Sequence, residues 1–356
     1  MSSPGHLLRR FATIARERGF GEALRRAWRR AIGGTPPPAF VESRAAQDTK
    51  APVARPSPGE QTRAYWDDLA RREGETDAGP SRWTSHPLVR AHMNRQITGD
   101  GAQEWLPWAK AHFVPTTVAR GLCLGCGRGN EAREMITLGL CREVIAVDIS
   151  PVLLEIAERL TQRAGVARIT YRACDLDRER LPDGPFDVIV AKMSLHHCAD
   201  LPHVFGEVWR VARPRAVFLW NEYIGPSQFQ WSDAQLHLIN GLLAALPERY
   251  RWRAFDQVVK REIARPDPTQ MPDPSESARS ADIPAEFRRV PWEVLAERPY
   301  GGTLLAELLS GIVENFRMES AEDGALLETL ISLEETLIAR GLLLPDYCVV
   351  AARKPA

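Results

Sequence analysis

The 356-residue chain is poor in lysine: only positions 50, 110, 192, 260 and 354 carry it, and the rest of its 46 basic side chains are arginine. Acidic residues also number 46, so the formal net charge is zero. Without a basic excess the chain lacks the bulk field that nucleic-acid binding uses, and a nucleic-acid substrate is disfavoured. No apolar run approaches the roughly 20 residues a membrane-spanning helix needs. The first residues lack the apolar stretch of a secretory signal. Six cysteines, at 123, 126, 141, 174, 198 and 348, form no paired framework and sit mostly in apolar segments. They are expected to be reduced, and the compartment cytoplasmic. Cys123 and Cys126 make one C-x-x-C, but no second pair answers it and it overlaps a glycine-rich turn. A core role outweighs zinc or redox use there.

What is present changes along the chain. Residues 1–34 hold eight arginines against Glu17 and Glu22, with Leu7, Leu8, Phe11 and Ile14 on one helical face and Leu24, Trp28 and Ile32 on another. A basic amphipathic helix of this kind suits peripheral contact with an anionic membrane; a solvated or partner-bound tail is the plainer alternative. Residues 35–60 are proline-rich and weakly hydrophobic, a disordered linker by composition. Residues 61–116 read as a helical cap with Tyr65, Trp66, Trp83, Trp105 and Trp108, placed to cover whatever site follows.

From 117 to 225 short apolar runs alternate with helical patterns. Strands are expected at Val118–Leu124, Val144–Val147, Ile169–Arg172, Phe186–Ala191 and Ala216–Trp220, with helices at Glu131–Leu138, Pro151–Leu160 and Leu201–Val211. Strands alternating with helices make an α/β, doubly wound, mostly parallel sheet. Residues 226–290, helical and then proline-rich, read as an insertion: a lid over the acceptor, or a dimerisation arm. Residues 291–356 complete the core, with a strand near Trp292–Glu297, helices at Leu304–Asn315 and Ala325–Ala339, and a late strand at Tyr347–Ala352.

The chemistry starts at Gly125-Cys126-Gly127-Arg128-Gly129, between a strand and a helix. Glycine permits positive φ and close approach of a ligand to the backbone, and the helix N-terminus beyond favours an electron-rich ligand. Asp148 ends the second strand, 23 residues after Gly125, where a carboxylate can accept both hydroxyl hydrogens of a ribose. Asp175 ends the third strand, within reach of an exocyclic amine, with Cys174 and Leu176 flanking a purine.

Together Gly121–Asn130 (GLCLGCGRGN), Val144–Ser150 (VIAVDIS), Ala173–Asp177 (ACDLD), Phe186–His197 (FDVIVAKMSLHH) and Glu207–Pro214 (EVWRVARP) resemble the successive motifs of class I S-adenosylmethionine-dependent methyltransferases. The resemblance implies a Rossmann-like seven-stranded sheet with a reversed C-terminal strand, and S-adenosyl-L-methionine as cofactor. It implies that Gly125, Cys126, Gly127 and Gly129 hold the methionine end and Asp148 and Ile149 the ribose. Cys174, Asp175 and Leu176 would then take the adenine, with Lys192 beside them. Two positions depart from the pattern. Cys123 stands where the family often has an acid, and Arg215 stands in the usually glycine-rich turn before the fifth strand.

A hydroxyl acceptor must lose its proton, and a histidine near neutrality can take it. His197 is the favoured base, with His196 as the alternative, or the two form a structural pair. Glu222 and Tyr223 orient an acceptor or share proton transfer, unless they only cap and pack; Arg279 and Ser280 are further pocket candidates. His196, His197 and His203 suggest a metal, but no carboxylate at ligand spacing supports one, and none is expected. The expectation is an O-methyltransferase acting on a small-molecule or saccharide acceptor. A non-catalytic S-adenosylmethionine-binding module is the alternative. A nicotinamide oxidoreductase is opposed by Asn130 at the third position of its glycine fingerprint.

Overall fold

The computed structural model describes residues 59–76 and 82–356. The basic segment 1–34 and all but the last two residues of the linker 35–60 lie outside the described residues.

Seven strands form one sheet: β1 Val118–Leu124, β2 Cys141–Asp148, β3 Ile169–Ala173, β4 Phe186–Lys192, β5 Ala212–Tyr223, β8 Glu293–Pro299 and β9 Tyr347–Arg353. Their order is β3-β2-β1-β4-β5-β9-β8. β1 to β5 run parallel, and β9 runs antiparallel to both β5 and β8. The last strand is thus the reversed one, as expected from its position in the chain. β6 (Trp252–Arg253) and β7 (Val258–Val259) form a separate two-stranded ribbon.

Burial follows the period of two that a sheet covered on both faces demands. Leu122, Leu124, Ile189, Ala191, Phe218 and Trp220 enter one core. Cys123, Val188, Val190, Val217 and Leu219 enter the core on the other face. Helices α2 (Pro87–Thr98), α3 (Trp105–Phe113), α4 (Asn130–Thr137), α5 (Pro151–Arg163) and α6 (Leu201–Val211) are set against this sheet. Their starts are coded locally. Ser150 Oγ accepts the Leu153 N–H (3.1 Å) ahead of α5, and Asp200 accepts the His203 N–H (3.1 Å) ahead of α6. All six cysteines are free and buried. Burial pushes the Cys123 and Cys126 thiols well up, with the charges of Glu131 and Asp148 adding to it. Neutral thiols of this kind are core groups rather than metal or redox ligands.

A third core joins α7 (Asp233–Ala245), α8 (Glu248–Arg251), α10 (Leu305–Leu309) and α11 (Ala321–Ala339), leaving α9 (Ile283–Phe287) against α6. The helix expected over Leu304–Asn315 is a correction: α10 ends at Leu309, Gly311 takes φ +75°, and Val313–Asn315 is a separate 3-10 turn. β8 starts and ends later than the expected Trp292–Glu297, and Trp292 itself packs into the sheet core.

β5 starts at Ala212 rather than at the expected Ala216, so Arg215 lies inside the strand instead of in a turn before it, and its backbone keeps the geometry glycine would give it. Arg215 sits at φ +69°, with its N–H donating to Lys354 O at 2.9 Å. An L-residue held there costs about 1 kcal/mol or more. Arg215→Gly is therefore expected to raise unfolding free energy by about 1 kcal/mol in urea titrations; an unchanged or lower midpoint would show that the side chain compensates.

Candidate active site

The strand order reverses between β1 and β4, and a crevice opens at the carboxyl ends of strands at such a point. There a cavity of about 170 Å³ is lined by Gly125 and Gly127 after β1, Asp148 and Ile149 at the end of β2, and Leu153 of α5. Cys174, Asp175, Leu176 and Asp177 follow β3; Met193, Ser194, His197 and Cys198 follow β4. Helix α1 (Gly59–Glu73) adds Gly59, Thr62 and Trp66. Of the residues assigned from sequence, Gly125, Gly127, Asp148, Ile149, Cys174, Asp175, Leu176 and His197 meet here. Cys126, Gly129, Lys192, His196, Glu222 and Tyr223 stand behind the lining.

The glycines are not equivalent. Gly125 (φ +56°) could not carry a Cβ, because that atom would stand 2.3 Å from Ser194 Cβ. At Gly127 (φ +49°) an added Cβ would meet nothing within 4 Å, so open space lies above the backbone. Asp148 binds this turn to its own strand. Its Oδ2 accepts the Gly127 N–H (2.8 Å) and its Oδ1 the Ser150 N–H (3.0 Å). Each oxygen keeps a second lone pair for a ligand hydroxyl. Burial pushes the Asp148 carboxyl up, against the pull of the Ser150, Gly127 and Ile149 N–H groups.

Behind the lining, each remaining residue has another partner. Cys126 is buried in the core, and Gly129 lies where a Cβ would strike the Tyr171 hydroxyl at 2.4 Å. Lys192 Nζ is paired with Glu131 (2.7 Å). The Tyr223 hydroxyl donates to Pro226 O (3.3 Å). Arg279 bridges Asp282 (2.7 Å) and Glu286 (3.0 Å), and Ser280 Oγ donates to Gly225 O (2.9 Å). Neither lines the cavity.

Glu222 is fully buried and organises the turn after β4. Its Oε1 accepts the N–H groups of Ser194 (2.8 Å) and Leu195 (2.9 Å), and its Oε2 accepts from His196 Nδ1 (2.8 Å). Burial works to lower the His196 imidazole, but the Glu222 hydrogen bond and the charges of Glu222, Glu276 and Asp273 outweigh it and raise its pKa. His197 goes the other way: burial and the charge of His196 lower it, against Glu276 and Asp273.

Sequence reasoning missed the groups that surround His197. Ser275 Oγ donates to Asp273 Oδ1 (2.6 Å) and stands 3.1 Å from His197 Nδ1. Glu276 lies beyond, its Oε2 at 4.0 Å from His197 Nε2 and its Oε1 at 3.6 Å from His196 Nε2. The Ser275–Asp282 run was legible as polar, but nothing local ties Asp273–Glu276 to histidines so far back in the chain. Trp66 of α1 stands edge-on to His197, with ring centroids 5.3 Å apart. Arg63 Nε donates to Ile149 O (3.2 Å), Ser150 Oγ to Asp67 Oδ1 (2.5 Å), and Arg128 pairs with Glu73 (2.9 Å). Those bonds fasten α1 over the crevice.

A glycine turn beneath open space, with an acid at the tip of each of the next two strands, defines a nucleoside-cofactor-binding domain of the doubly wound α/β class. Residues 122–220 match the methyltransferase domain family. The matched segment is thereby a methyltransferase domain of the S-adenosylmethionine-dependent kind, and S-adenosylmethionine is the cofactor of such domains. Similar proteins include a malonyl-acyl-carrier-protein O-methyltransferase of Serratia marcescens, 31% identical over 31% of this chain and 40% of that one. A sterol 24-C-methyltransferase of Aspergillus fumigatus is 31% identical over 27% of this chain and 26% of its own. Among solved structures, a geranyl diphosphate methyltransferase is similar over 83% of this chain and 99% of that one, at 16% identity and a TM-score of 0.46. The chain spans less than half the length of the two curated relatives named.

The two glycines give a paired test. Gly127→Ala is expected to fold with a loss of about 1–2 kcal/mol from its left-handed backbone, while affinity for S-adenosylhomocysteine falls at least about ten-fold in calorimetry. Gly125→Ala is expected to lose several kcal/mol from the added clash with Ser194, seen as a collapse of the urea midpoint. Equal behaviour of the two variants would show that Gly127 does not face the ligand.

Proposed function

We propose that the protein transfers a methyl group from S-adenosylmethionine to a hydroxyl oxygen of a small-molecule or saccharide acceptor. The glycine turn holds the methionine end of the cofactor, Asp148 the ribose hydroxyls and Asp175 the adenine amine. Ile149, Leu153 and Leu176 supply apolar walls. The sulfonium is already an activated donor, so the protein's work is alignment and removal of the acceptor proton.

The observation that carries this reading is His197, the one proposed base that lines the same cavity as Gly127 and Asp148. Its tautomer follows from its neighbours. Ser275 gives its only proton to Asp273, so its oxygen accepts from His197 Nδ1–H. That leaves the Nε2 lone pair as the basic atom. Asp273 and Ser275 therefore act as positioning residues, and Glu276 stabilises the imidazolium that forms. His196 has its Nδ1 committed to Glu222 and supports the turn instead. The insertion 226–290 contributes to the lid through Asp273–Ala278, where the Ala278 N–H donates to His196 O (3.0 Å).

Two relatives are named for transfer to oxygen and to carbon respectively, so the accepting atom is decided by the local groups. A base placed beside the cofactor supports oxygen. The test is transfer of labelled methyl from S-adenosylmethionine into fractionated small-molecule and saccharide pools. His197→Gln is expected to lower kcat by about 10²–10⁴-fold, with S-adenosylhomocysteine affinity within about three-fold of wild type. Unchanged kcat would remove the base assignment, and tight cofactor binding with no acceptor in any pool would favour a binding module.

A further inference from the structure

His196, His197 and Glu276 hold more than the methyl-transfer reading uses. His196 carries its proton on Nδ1, because that atom faces the Glu222 carboxylate at 2.8 Å and Glu222 already accepts two backbone N–H groups. His197 carries its proton on Nδ1 toward Ser275, which is fixed by Asp273. Both rings therefore turn Nε2 lone pairs toward one carboxylate, at 3.6 and 4.0 Å from Glu276 oxygens. The ring centroids are 4.2 Å apart, and the three ligand atoms all lie within 4.8 Å of one another. These separations are too long for hydrogen bonds, and with both imidazoles neutral the groups facing one another are all acceptors. His196 is buried and the other two are partly buried, and a cation between converging acceptors relieves the cost of desolvating them.

We propose that His196 Nε2, His197 Nε2 and Glu276 form a binding site for a divalent cation, with Zn²⁺ the ion that suits the donors. Two imidazoles and one carboxylate favour zinc over magnesium or calcium, which prefer oxygen ligands. Tetrahedral ligands about 2.1 Å from zinc stand about 3.4 Å apart, so ligand atoms that lie within 4.8 Å of one another draw inward to close the site. Each imidazole is also buttressed at its other nitrogen by a carboxylate, directly through Glu222 or by way of Ser275 and Asp273, which is how metal-bound histidines are oriented. Three protein ligands leave a fourth position for water or an acceptor oxygen. The expectation of no metal is thereby revised on one point: the missing carboxylate arrives from the insertion. His203, grouped with these histidines by sequence, is elsewhere, its Nε2 at 3.1 Å from Glu179 O.

This inference does not rest on the methyl-transfer reading. Ion and base use the same His197 lone pair, so the base assignment applies to the metal-free protein. The test titrates ZnCl2 into untagged, chelator-stripped full-length protein by calorimetry, with MgCl2 as comparison. The expected result is about one equivalent of zinc, no saturable magnesium heat, and affinity lowered at least ten-fold by Glu276→Gln or His196→Gln. Glu222→Gln is expected to weaken zinc by about 10–100-fold through lost orientation, and His203→Gln to leave it unchanged. S-adenosylhomocysteine titrations of each variant report an intact crevice, so a misfolded variant is not mistaken for a lost ligand. Absence of saturable zinc binding to wild type, or Glu276→Gln within two-fold of it, overturns the proposal. Absence of S-adenosylhomocysteine binding to wild type instead would sink the methyl-transfer reading and leave the zinc result standing.

Discussion

The buried carboxylate of Glu222 is the interaction on which the rest of the site depends. It ends β5 but spends its hydrogen bonds on the turn after β4, taking two backbone N–H groups and one imidazole. Removing a charge from water is tolerable only when such donors replace the solvent. The consequence is geometric. Ser194 is held under Gly125, Met193 is held at φ +50° on the cavity wall, and His197 is delivered beside Trp66. Crevice floor, cavity wall and the place of His197 are set by one side chain that does not line the cavity itself.

A second constraint works from above. Helix α1 has a mean hydropathy too low for a core helix, and only Gly59, Thr62 and Ala70 are buried along it. It is held by polar bonds from Arg63, Asp67 and Glu73 and by a small apolar cluster of Trp66 and Ala70 with Leu153 and Ile156 of α5. Gly59 sits where a Cβ would strike Asp175 Oδ2 at 2.1 Å, so the helix begins directly against Asp175 at the crevice. Loop Asp273–Ala278 closes the opposite end, against the histidines. Two covers from distant parts of the chain thus meet across Trp66 and His197.

The strands and the glycine turn were legible because their signals are local. Short apolar runs gave β1 to β5, and the helical patterns between them gave α4 to α6. Asp148 and Asp175 could be placed because strand ends face the crevice in this topology. Glu222 and Tyr223 were expected just after the fifth strand, but β5 runs on through Tyr223; their side chains turn inward, and burial of an acid by remote N–H groups leaves no trace in spacing. Lys192 was lost to Glu131 for the same reason. The loop bearing Asp273, Ser275 and Glu276 has neither periodicity nor a cap, and only the folded chain brings it to the histidines. Arg215 departs from the glycine-rich pattern of the family, but the backbone adopts the left-handed geometry regardless, its N–H bonded to Lys354 O.

The six sequestered sulfur atoms have a practical corollary. With every thiol inside and those of Cys123, Cys126 and Cys198 held well above their ordinary pKa by burial, alkylating reagents can react only as fast as the folded chain opens. Cys123 and Cys126, which do not line the cavity, thus make a built-in stopwatch for opening of the Rossmann core, with no probe added and no residue changed.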